Sequence, residues 1–206
     1  MRDAGAKAQP PSLDDVLAAR PHMFVRRGFL DEEACARVRR AMNAGVPEPA
    51  DVLGEDISTD REVRRASHVE VDPDALRLIE ERLDAVRDEV SAFFGIPLSE
   101  REGTSFLRYP PGGFFKRHRD WGQVPSWPGA ARRQISVVVF LNTSTDADPS
   151  GLFSGGTLTL IPDAAGAPPV PVHARAGTLV AFPSVTLHEV TPVHAGIRDS
   201  IVDWVY

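Results

Sequence analysis

The chain has 206 residues, a length that fits one domain with an embellishment better than a modular assembly. Hydrophobic residues make up 42% of it and charged residues 25%, which is typical of folded globular proteins and excludes the composition of disordered chains. The net charge is −6 and Lys and Arg form no long run, so the sequence disfavours a protein that grips nucleic acid electrostatically.

The single cysteine, Cys35, excludes an intramolecular disulfide framework and any metal site built from several thiolates. Residues 1–11 contain no apolar segment like that of a signal peptide, and no window approaches the length of a membrane span. We therefore expect a cytoplasmic protein that neither enters a membrane nor binds nucleic acid.

The first half of the chain predicts helices. A short helix is expected over 12–20, a strand over 24–29, and a second helix from Asp31, as N-cap, to about residue 44. The clearest helix spans 73–94, where apolar residues recur at steps of three and four: Leu76, Ile79, Leu83, Val86, Val90 and Phe93. The acidic, proline-containing segment 45–66 has no period and predicts either a surface excursion or a lid.

From Gly103 onward the apolar period changes to two, and glycine and proline turns recur at short intervals. Eight strands are predicted, at 104–109, 114–120, 133–142, 157–161, 170–174, 178–182, 187–192 and 198–206. We expect an α+β, mainly β fold with a double-stranded β-helix, or jelly roll, at 103–206. Residues 1–102 would supply supporting helices and the lid segment of the same domain. A plain β-sandwich without a site is the alternative.

One short motif has metal-ligand chemistry. In His118-Arg119-Asp120 the first and third side chains lie on the same side of a strand, so an imidazole and a carboxylate can meet one ion. His188, near the start of another predicted strand, could complete two histidines and one carboxylate, the facial triad of non-haem Fe(II) oxygenases. Taken alone, His-x-Asp is a weak signal, since an isolated histidine is more often a surface or structural residue.

A second motif predicts a receptor for a carboxylate. In the last predicted strand Arg198, Ser200, Val202 and Trp204 share one face, while Asp199, Ile201, Asp203 and Val205 share the other. A guanidinium beside a hydroxyl can bind a carboxylate through two N–H and one O–H hydrogen bonds. The alternative is that Arg198 pairs with one of the many surface carboxylates.

Together, five elements carry a family resemblance: residues 109–120, the pair Gly155-Gly156, residues 177–182, residues 188–198 and Trp204. Over 103–206 the chain resembles the iron(II) and 2-oxoglutarate-dependent dioxygenases of the prolyl 4-hydroxylase type. The resemblance implies that His118, Asp120 and His188 bind Fe(II) and that Arg198 binds the distal carboxylate of 2-oxoglutarate. It also places three further residues at the co-substrate: Tyr109, Ser200 and Trp204.

The implied cofactors are Fe(II), 2-oxoglutarate as co-substrate, O₂, and ascorbate as an additional reductant. The implied reaction hydroxylates an unactivated C–H bond and releases succinate and CO₂. Asp120 favours hydroxylation, because related halogenases have a small residue in its place.

The substrate has to be inferred from weaker signals. Phe115 stands where prolyl hydroxylases commonly have a second tyrosine, and no basic groove is indicated, so we expect a small amino-acid-like metabolite. A prolyl residue in a peptide or protein is the alternative. A non-catalytic 2-oxoglutarate or metal sensor is a second alternative, and a cupin-type dioxygenase that does not use 2-oxoglutarate is a third, against which Arg198 argues.

Further residues could border the site. Trp121 and Trp127 follow the metal-ligand strand, where they could support a substrate or simply pack in a turn. Arg64, Arg65 and His68 adjoin the acidic segment and could line an entrance. The remaining histidines, His22, His173 and His194, have no second ligand at a suitable spacing and are interpreted as structural or exposed. The same interpretation applies to His68 if it does not line the entrance.

Overall fold

The computed structural model describes residues 23–52, 60–124, 127–163 and 167–206. The helix predicted over 12–20 lies outside this part of the chain. The helices are α1 (Glu32–Ala44), α2 (Pro73–Phe94) and a 3₁₀ turn (Pro128–Arg132). The strands are β1 (Phe24–Arg26), β2 (Pro47–Pro49), β3 (Ser67–Val69), β4 (Ser105–Tyr109), β5 (Phe115–His118), β6 (Ile135–Phe140), β7 (Phe153–Gly155), β8 (Leu158–Ile161), β9 (Val170–Val172), β10 (Leu179–Pro183), β11 (Leu187–Val190), β12 (Val193–Gly196) and β13 (Arg198–Val205).

Both helices begin at an aspartate that caps them. Asp31 accepts a hydrogen bond from the amide of Ala34, and Asp72 accepts one from the amide of Ala75, so each carboxylate satisfies a free N–H group and complements the positive end of the helix dipole. Helix α2 ends at Gly95, which adopts the left-handed conformation with φ 61°. Neither helix in this part of the chain is long and apolar enough to span a membrane.

The apolar stripe of α2 differs from the prediction at its last position. Phe93 was expected in the core but is 37% exposed, whereas Phe94 is buried. The step from Val90 to the next buried residue is four rather than three, and Phe93 instead packs edge-on against Phe24 at the margin of the sheet.

The strands form two main sheets. The larger has the order β1-β10-β6-β13-β4-β3-β2, the smaller has the order β5-β11-β8-β9, and β7 and β12 make a separate antiparallel pair. Apolar side chains of α1 and α2 pack on one face of the larger sheet, around Ile135, Val139 and Ile201. A second apolar cluster, which includes Phe140, Phe182 and Leu160, fills the space between the two sheets.

The observed architecture is mainly β with two α-helices in the described residues, as expected. The strands that the sequence did not predict are the four short ones β2, β3, β7 and β12. Strands from the N-terminal half are part of the larger sheet, since β1 pairs with β10 and β3 pairs with β4. Described residues of the segment predicted as an excursion or lid are hydrogen-bonded to the chain around β5, through Val63 and Arg65.

Strand β13 lies in the middle of the larger sheet and has buried charges on both faces. Arg198 and Ser200 face the space between the sheets, whereas Asp199 and Asp203 face the helices. Each of these buried carboxylates is paired with arginine: Asp199 with Arg39 and Arg108, and Asp203 with Arg101. The alternation of the two faces predicted from the sequence is the one observed.

We predict that Asp203→Ala lowers the free energy of unfolding by about 3 kcal/mol, because Arg101, only 11% exposed, loses a buried partner that is 2.6 Å away. Asp84→Ala is the matched control, since Asp84 binds the same arginine but is 54% exposed, and its loss should cost less than about 1 kcal/mol. Urea unfolding of the two variants measures both effects. Equal losses would contradict a special role for the buried pair.

Candidate metal and co-substrate site

The two histidines of the predicted triad are direct neighbours across a strand pair. His118 at the end of β5 is the register partner of His188 in β11, and the centres of their rings lie 4.1 Å apart. Nδ1 of His118 lies 2.7 Å from the carbonyl oxygen of Lys116, and Nδ1 of His188 lies 2.9 Å from that of Thr186. A carbonyl oxygen only accepts hydrogen bonds, so both Nδ1 atoms donate and both Nε2 atoms keep a lone pair for a metal.

Asp120 completes the cluster from the turn that follows β5. Its Oδ1 lies 3.5 Å from Nε2 of His118, and its Oδ2 lies 3.6 Å from Nε2 of His188. The three ligand atoms lie within 4.8 Å of one another. Two imidazole nitrogens and one carboxylate oxygen on one side of an open pocket are the donor set that suits Fe(II) in non-haem oxygenases.

Protonation states in the cluster also fit a cation. Burial raises the pKa of Asp120, but His188, His118 and the Ser136 hydroxyl outweigh burial and hold that pKa well below its ordinary value. Burial lowers the pKa of His188 to about 4, and the nearby Asp120 carboxylate only partly opposes this. At neutral pH the cluster therefore offers an ionised carboxylate and a neutral His188 imidazole.

Asp120 is held by residues that the sequence did not indicate. The hydroxyl of Ser136 donates to its Oδ2 at 2.6 Å and lies 3.0 Å from the hydroxyl of Ser184. The backbone carbonyl of Ser184 accepts from the amides of Asp120 and Trp121, and Arg133 donates to the carbonyl of Asp120. These contacts orient the carboxylate, and no short-range motif marks them because each joins distant parts of the chain.

Arg198 lies in the same pocket, 2% exposed. One of its terminal nitrogens donates to Ser200 at 2.9 Å, while its Nε atom is buried and has no hydrogen-bond partner within the described part of the chain. Among the described residues no carboxylate lies within salt-bridge distance of it, and burial lowers its pKa, with Tyr109 partly opposing this effect. A buried, unneutralised guanidinium is costly, so the site favours an anionic ligand.

A glycine makes room for the Arg198 side chain. Gly156 has a φ of 60°, and a Cβ atom at this position would lie 3.0 Å from Cδ of Arg198 and 2.9 Å from Cγ2 of Val193. A larger residue would be strained in its backbone and would displace the arginine stem. Gly156, which the resemblance includes, therefore has a physical role in the placement of Arg198.

The structure brings all the predicted site residues to one pocket of about 700 Å³: Tyr109, His118, Asp120, His188, Arg198, Ser200 and Trp204. Nε1 of Trp204 is buried without a partner, and the Arg133 guanidinium lies 3.8 Å from the centre of its indole ring. Arg133 is also paired with Glu102. Both residues line the pocket, and the sequence analysis did not identify either of them as a site residue.

The other residues that the sequence suggested near the site differ in whether they line the pocket. Trp127 lines the pocket and donates to Glu102, whereas Trp121 is 41% exposed and does not line it. Arg64 and His68 line the pocket, which agrees with the expectation that they border its entrance. Arg65 does not line it, and two histidines lie exposed outside it, His173 and His194. His22 lies outside the described residues.

The donor set of this pocket, beside a buried guanidinium that favours an anionic ligand, is the one expected of the non-haem iron oxygenase class. Residues 104–206 match the family model of the 2OG-Fe(II) oxygenase superfamily, and the chain belongs to that family. The resemblance to prolyl 4-hydroxylase-like, iron(II)/2-oxoglutarate-dependent dioxygenases is thereby confirmed.

Curated relatives share about half of the chain. A PKHD-type hydroxylase of Burkholderia ambifaria is 36% identical over 102 residues, which are 48% of this chain and 40% of the relative. A PKHD-type hydroxylase of Synechococcus elongatus is 34% identical over 100 residues, 48% of this chain and 41% of the relative. The chain therefore spans well under half the length of these relatives.

Solved structures cover nearly all of the chain. The crystal structure of a Pseudomonas putida prolyl-4-hydroxylase is 26% identical with a TM-score of 0.68, over 93% of this chain and 95% of that chain. A Trichoplax adhaerens prolyl hydroxylase in complex with a peptide fragment has a TM-score of 0.72, over 92% of this chain and 85% of that chain. At 20% identity, the second likeness shows the fold alone.

We predict that Ser136→Ala weakens Fe(II) binding about tenfold, because Asp120 loses the hydroxyl that orients it. Anaerobic titration of the metal-free protein with Fe(II) against a competing chelator measures the affinity. Ser200→Ala is the matched control: it removes a pocket hydroxyl that contacts Arg198 instead, and it should leave Fe(II) affinity unchanged. Equal Fe(II) affinity in the Ser136 variant and the unsubstituted protein would contradict the role.

Proposed function

We propose that this protein is an Fe(II)- and 2-oxoglutarate-dependent dioxygenase that hydroxylates an unactivated C–H bond of a small amino-acid-like metabolite. One observation carries the proposal: a single pocket holds the cluster of His118, Asp120 and His188 together with the unneutralised guanidinium of Arg198. One end of the pocket, at the His118, Asp120 and His188 cluster, suits a cation, and the other end, at Arg198, suits an anion. A dicarboxylate co-substrate that chelates a metal requires both.

At the first end, His118, Asp120 and His188 would hold Fe(II). Bound together with 2-oxoglutarate and O₂, the iron supplies the oxidising power for C–H hydroxylation, with release of succinate and CO₂. The protein contributes orientation: backbone carbonyls fix both imidazoles, and Ser136 fixes the carboxylate. Leu107, Val190 and Val202 contribute apolar lining to the same pocket.

At the other end, Arg198 and Ser200 would bind the distal carboxylate of 2-oxoglutarate. The carboxylate would accept from the Nε–H group that lacks a partner and would neutralise the buried charge. Tyr109, 2% exposed and beneath the Arg198 guanidinium at 4.8 Å, would contribute its hydroxyl to the same co-substrate. Trp204, whose Nε1 also lacks a partner, would close this end. We also propose ascorbate as an additional reductant.

We also propose the jelly-roll description of the two facing sheets, and we propose that residues 1–102 and 103–206 form one domain. Two observations support the single domain. Strands β1 and β3 of the N-terminal part pair with strands of the C-terminal part, and the core beside the larger sheet contains side chains of both.

A prolyl residue in a peptide or protein is the second candidate substrate. The Pseudomonas putida prolyl-4-hydroxylase, similar over nearly the whole length of both chains, favours it. The small metabolite is supported by Phe115, which stands at the position where prolyl hydroxylases commonly have a tyrosine and stacks on His118 with ring centres 3.5 Å apart. The two candidates share the same metal and co-substrate chemistry.

We expect His118→Ala to abolish turnover of 2-oxoglutarate to succinate, because one imidazole ligand is lost. The anaerobic Fe(II) protein should develop a visible metal-to-ligand charge-transfer band with 2-oxoglutarate, and the variant should not. His173→Ala is the control, since His173 is exposed and does not line the pocket.

The outcomes separate the alternatives. Full turnover of 2-oxoglutarate by the His118 variant would contradict the assignment of this protein as an Fe(II)- and 2-oxoglutarate-dependent dioxygenase. A band without turnover on any substrate would favour the sensor, and iron-dependent oxidation without a band or any need for 2-oxoglutarate would favour the cupin-type enzyme.

A further inference from the structure

Five arginines of the described chain line the pocket, and carboxylates neutralise three of them. Arg117 pairs with Glu189, Arg119 pairs with Asp163, and Arg133 pairs with Glu102. The other two, Arg198 and Arg64, have no carboxylate of the described residues within salt-bridge distance. The proposed function uses Arg198 for the co-substrate, which leaves Arg64 as a second cationic group with no carboxylate partner in the described part of the chain.

Arg64 is linked to the His118, Asp120 and His188 cluster through the Phe115 ring, and it shares no contact with Arg198. Its guanidinium is 4.6 Å from the centre of the Phe115 ring, and that ring stacks on His118. One terminal nitrogen donates to the backbone carbonyl of Asp51 at 2.6 Å, while Nε is buried and has no hydrogen-bond partner among the residues that the structure describes. The side chain is thus held in place by a carbonyl and an aromatic face, but its charge and one donor remain unused.

We infer that Arg64 binds a carboxylate of the primary substrate, so that the molecule oxidised is a free amino acid or a similar small zwitterion. This inference rests on the proposed function and names the substrate class of the same site. A guanidinium fork with a free Nε–H and a free terminal N–H matches a carboxylate bidentately. Bound there, the substrate would lie beside Phe115, in the same pocket as His118, Asp120 and His188.

The charges around Arg64 fit a zwitterion better than a dianion. Two exposed carboxylates, Glu48 and Asp51, line the same pocket and would attract an ammonium group while opposing a doubly charged phosphate. His68, half-buried beside them, adds no positive charge at neutral pH, since burial and the Arg64 charge lower its pKa. Arg64 is therefore the cation available to a carboxylate in this part of the pocket.

The test compares Arg64→Gln with Arg65→Gln. Arg65 is the matched control because it is the neighbouring arginine, is also half-buried and packs on a phenylalanine, Phe114, yet does not line the pocket. Succinate release is measured with a panel of free L-amino acids, their primary amides and a proline peptide blocked at both ends. Release without any primary substrate, together with the charge-transfer band, tests the iron and 2-oxoglutarate chemistry independently.

We expect free amino acids, but not their amides, to stimulate succinate release by the unsubstituted protein. Arg64→Gln should raise KM for the free acid about tenfold or more and erase the discrimination between acid and amide. Arg64→Lys, which keeps the charge but not the fork, should restore part of the discrimination. Arg65→Gln should keep all of it, and matching thermal midpoints of the variants exclude misfolding.

The inference is overturned if amides or the blocked peptide serve as well as free acids, or if Arg64→Gln keeps the discrimination. It is also overturned if the unsubstituted protein turns over 2-oxoglutarate but no free acid on the panel stimulates it. Absence of both the charge-transfer band and any succinate release would instead sink the proposed function, and the inference with it.

Discussion

The site depends on the two-residue alternation of strand β13. One face of this strand carries Asp199 and Asp203, each neutralised by arginine at the helix layer, and the other presents Arg198 and Ser200 to the pocket. A slip of one residue would bury the carboxylates in the pocket and turn the guanidinium toward the helices. The buried ion pairs thus specify the register that puts a cationic group between the sheets.

The metal cluster has a comparable origin in strand pairing. His118 and His188 are cross-strand partners of β5 and β11, and Asp120 follows two residues after the first. Hydrogen bonds to backbone carbonyls orient both imidazole rings so that their Nε2 atoms face the centre of the cluster, and Ser136 orients the carboxylate. Long-range pairing sets the positions of the ligands, and local hydrogen bonds set their orientation. The neighbouring arginines add a charge pattern in which Arg198 and Arg64 have no carboxylate partner among the described residues, whereas Arg133 is paired with Glu102.

Much of this could be predicted from the sequence, where the signal was local and periodic. The bounds of helix α2 follow from its apolar period, from Pro73 in the first turn and from Gly95 at its end. The short strands β2 and β7 could not be predicted, because three residues are too few to show a period. Phe93 was placed in the core because its spacing from Val90 is as helical as that of Phe94, and only packing on the sheet distinguishes the two.

The sequence by itself determined the candidate ligands, the His-x-Asp pair and a second histidine, and it placed an arginine and a serine on one face of the last strand. That face follows from the period-two geometry of an extended chain, which is local. The prediction that His118 and Asp120 share a strand was wrong, because β5 ends at His118 and Asp120 lies in the turn beyond it. Only the tertiary structure decided that all these residues share one pocket, that Ser136 holds Asp120, and that Arg133 is paired with a carboxylate while Arg64, beside Phe115, has none among the described residues. Pairing and neutralisation depend on residues far apart in the chain, and no spacing along it records them.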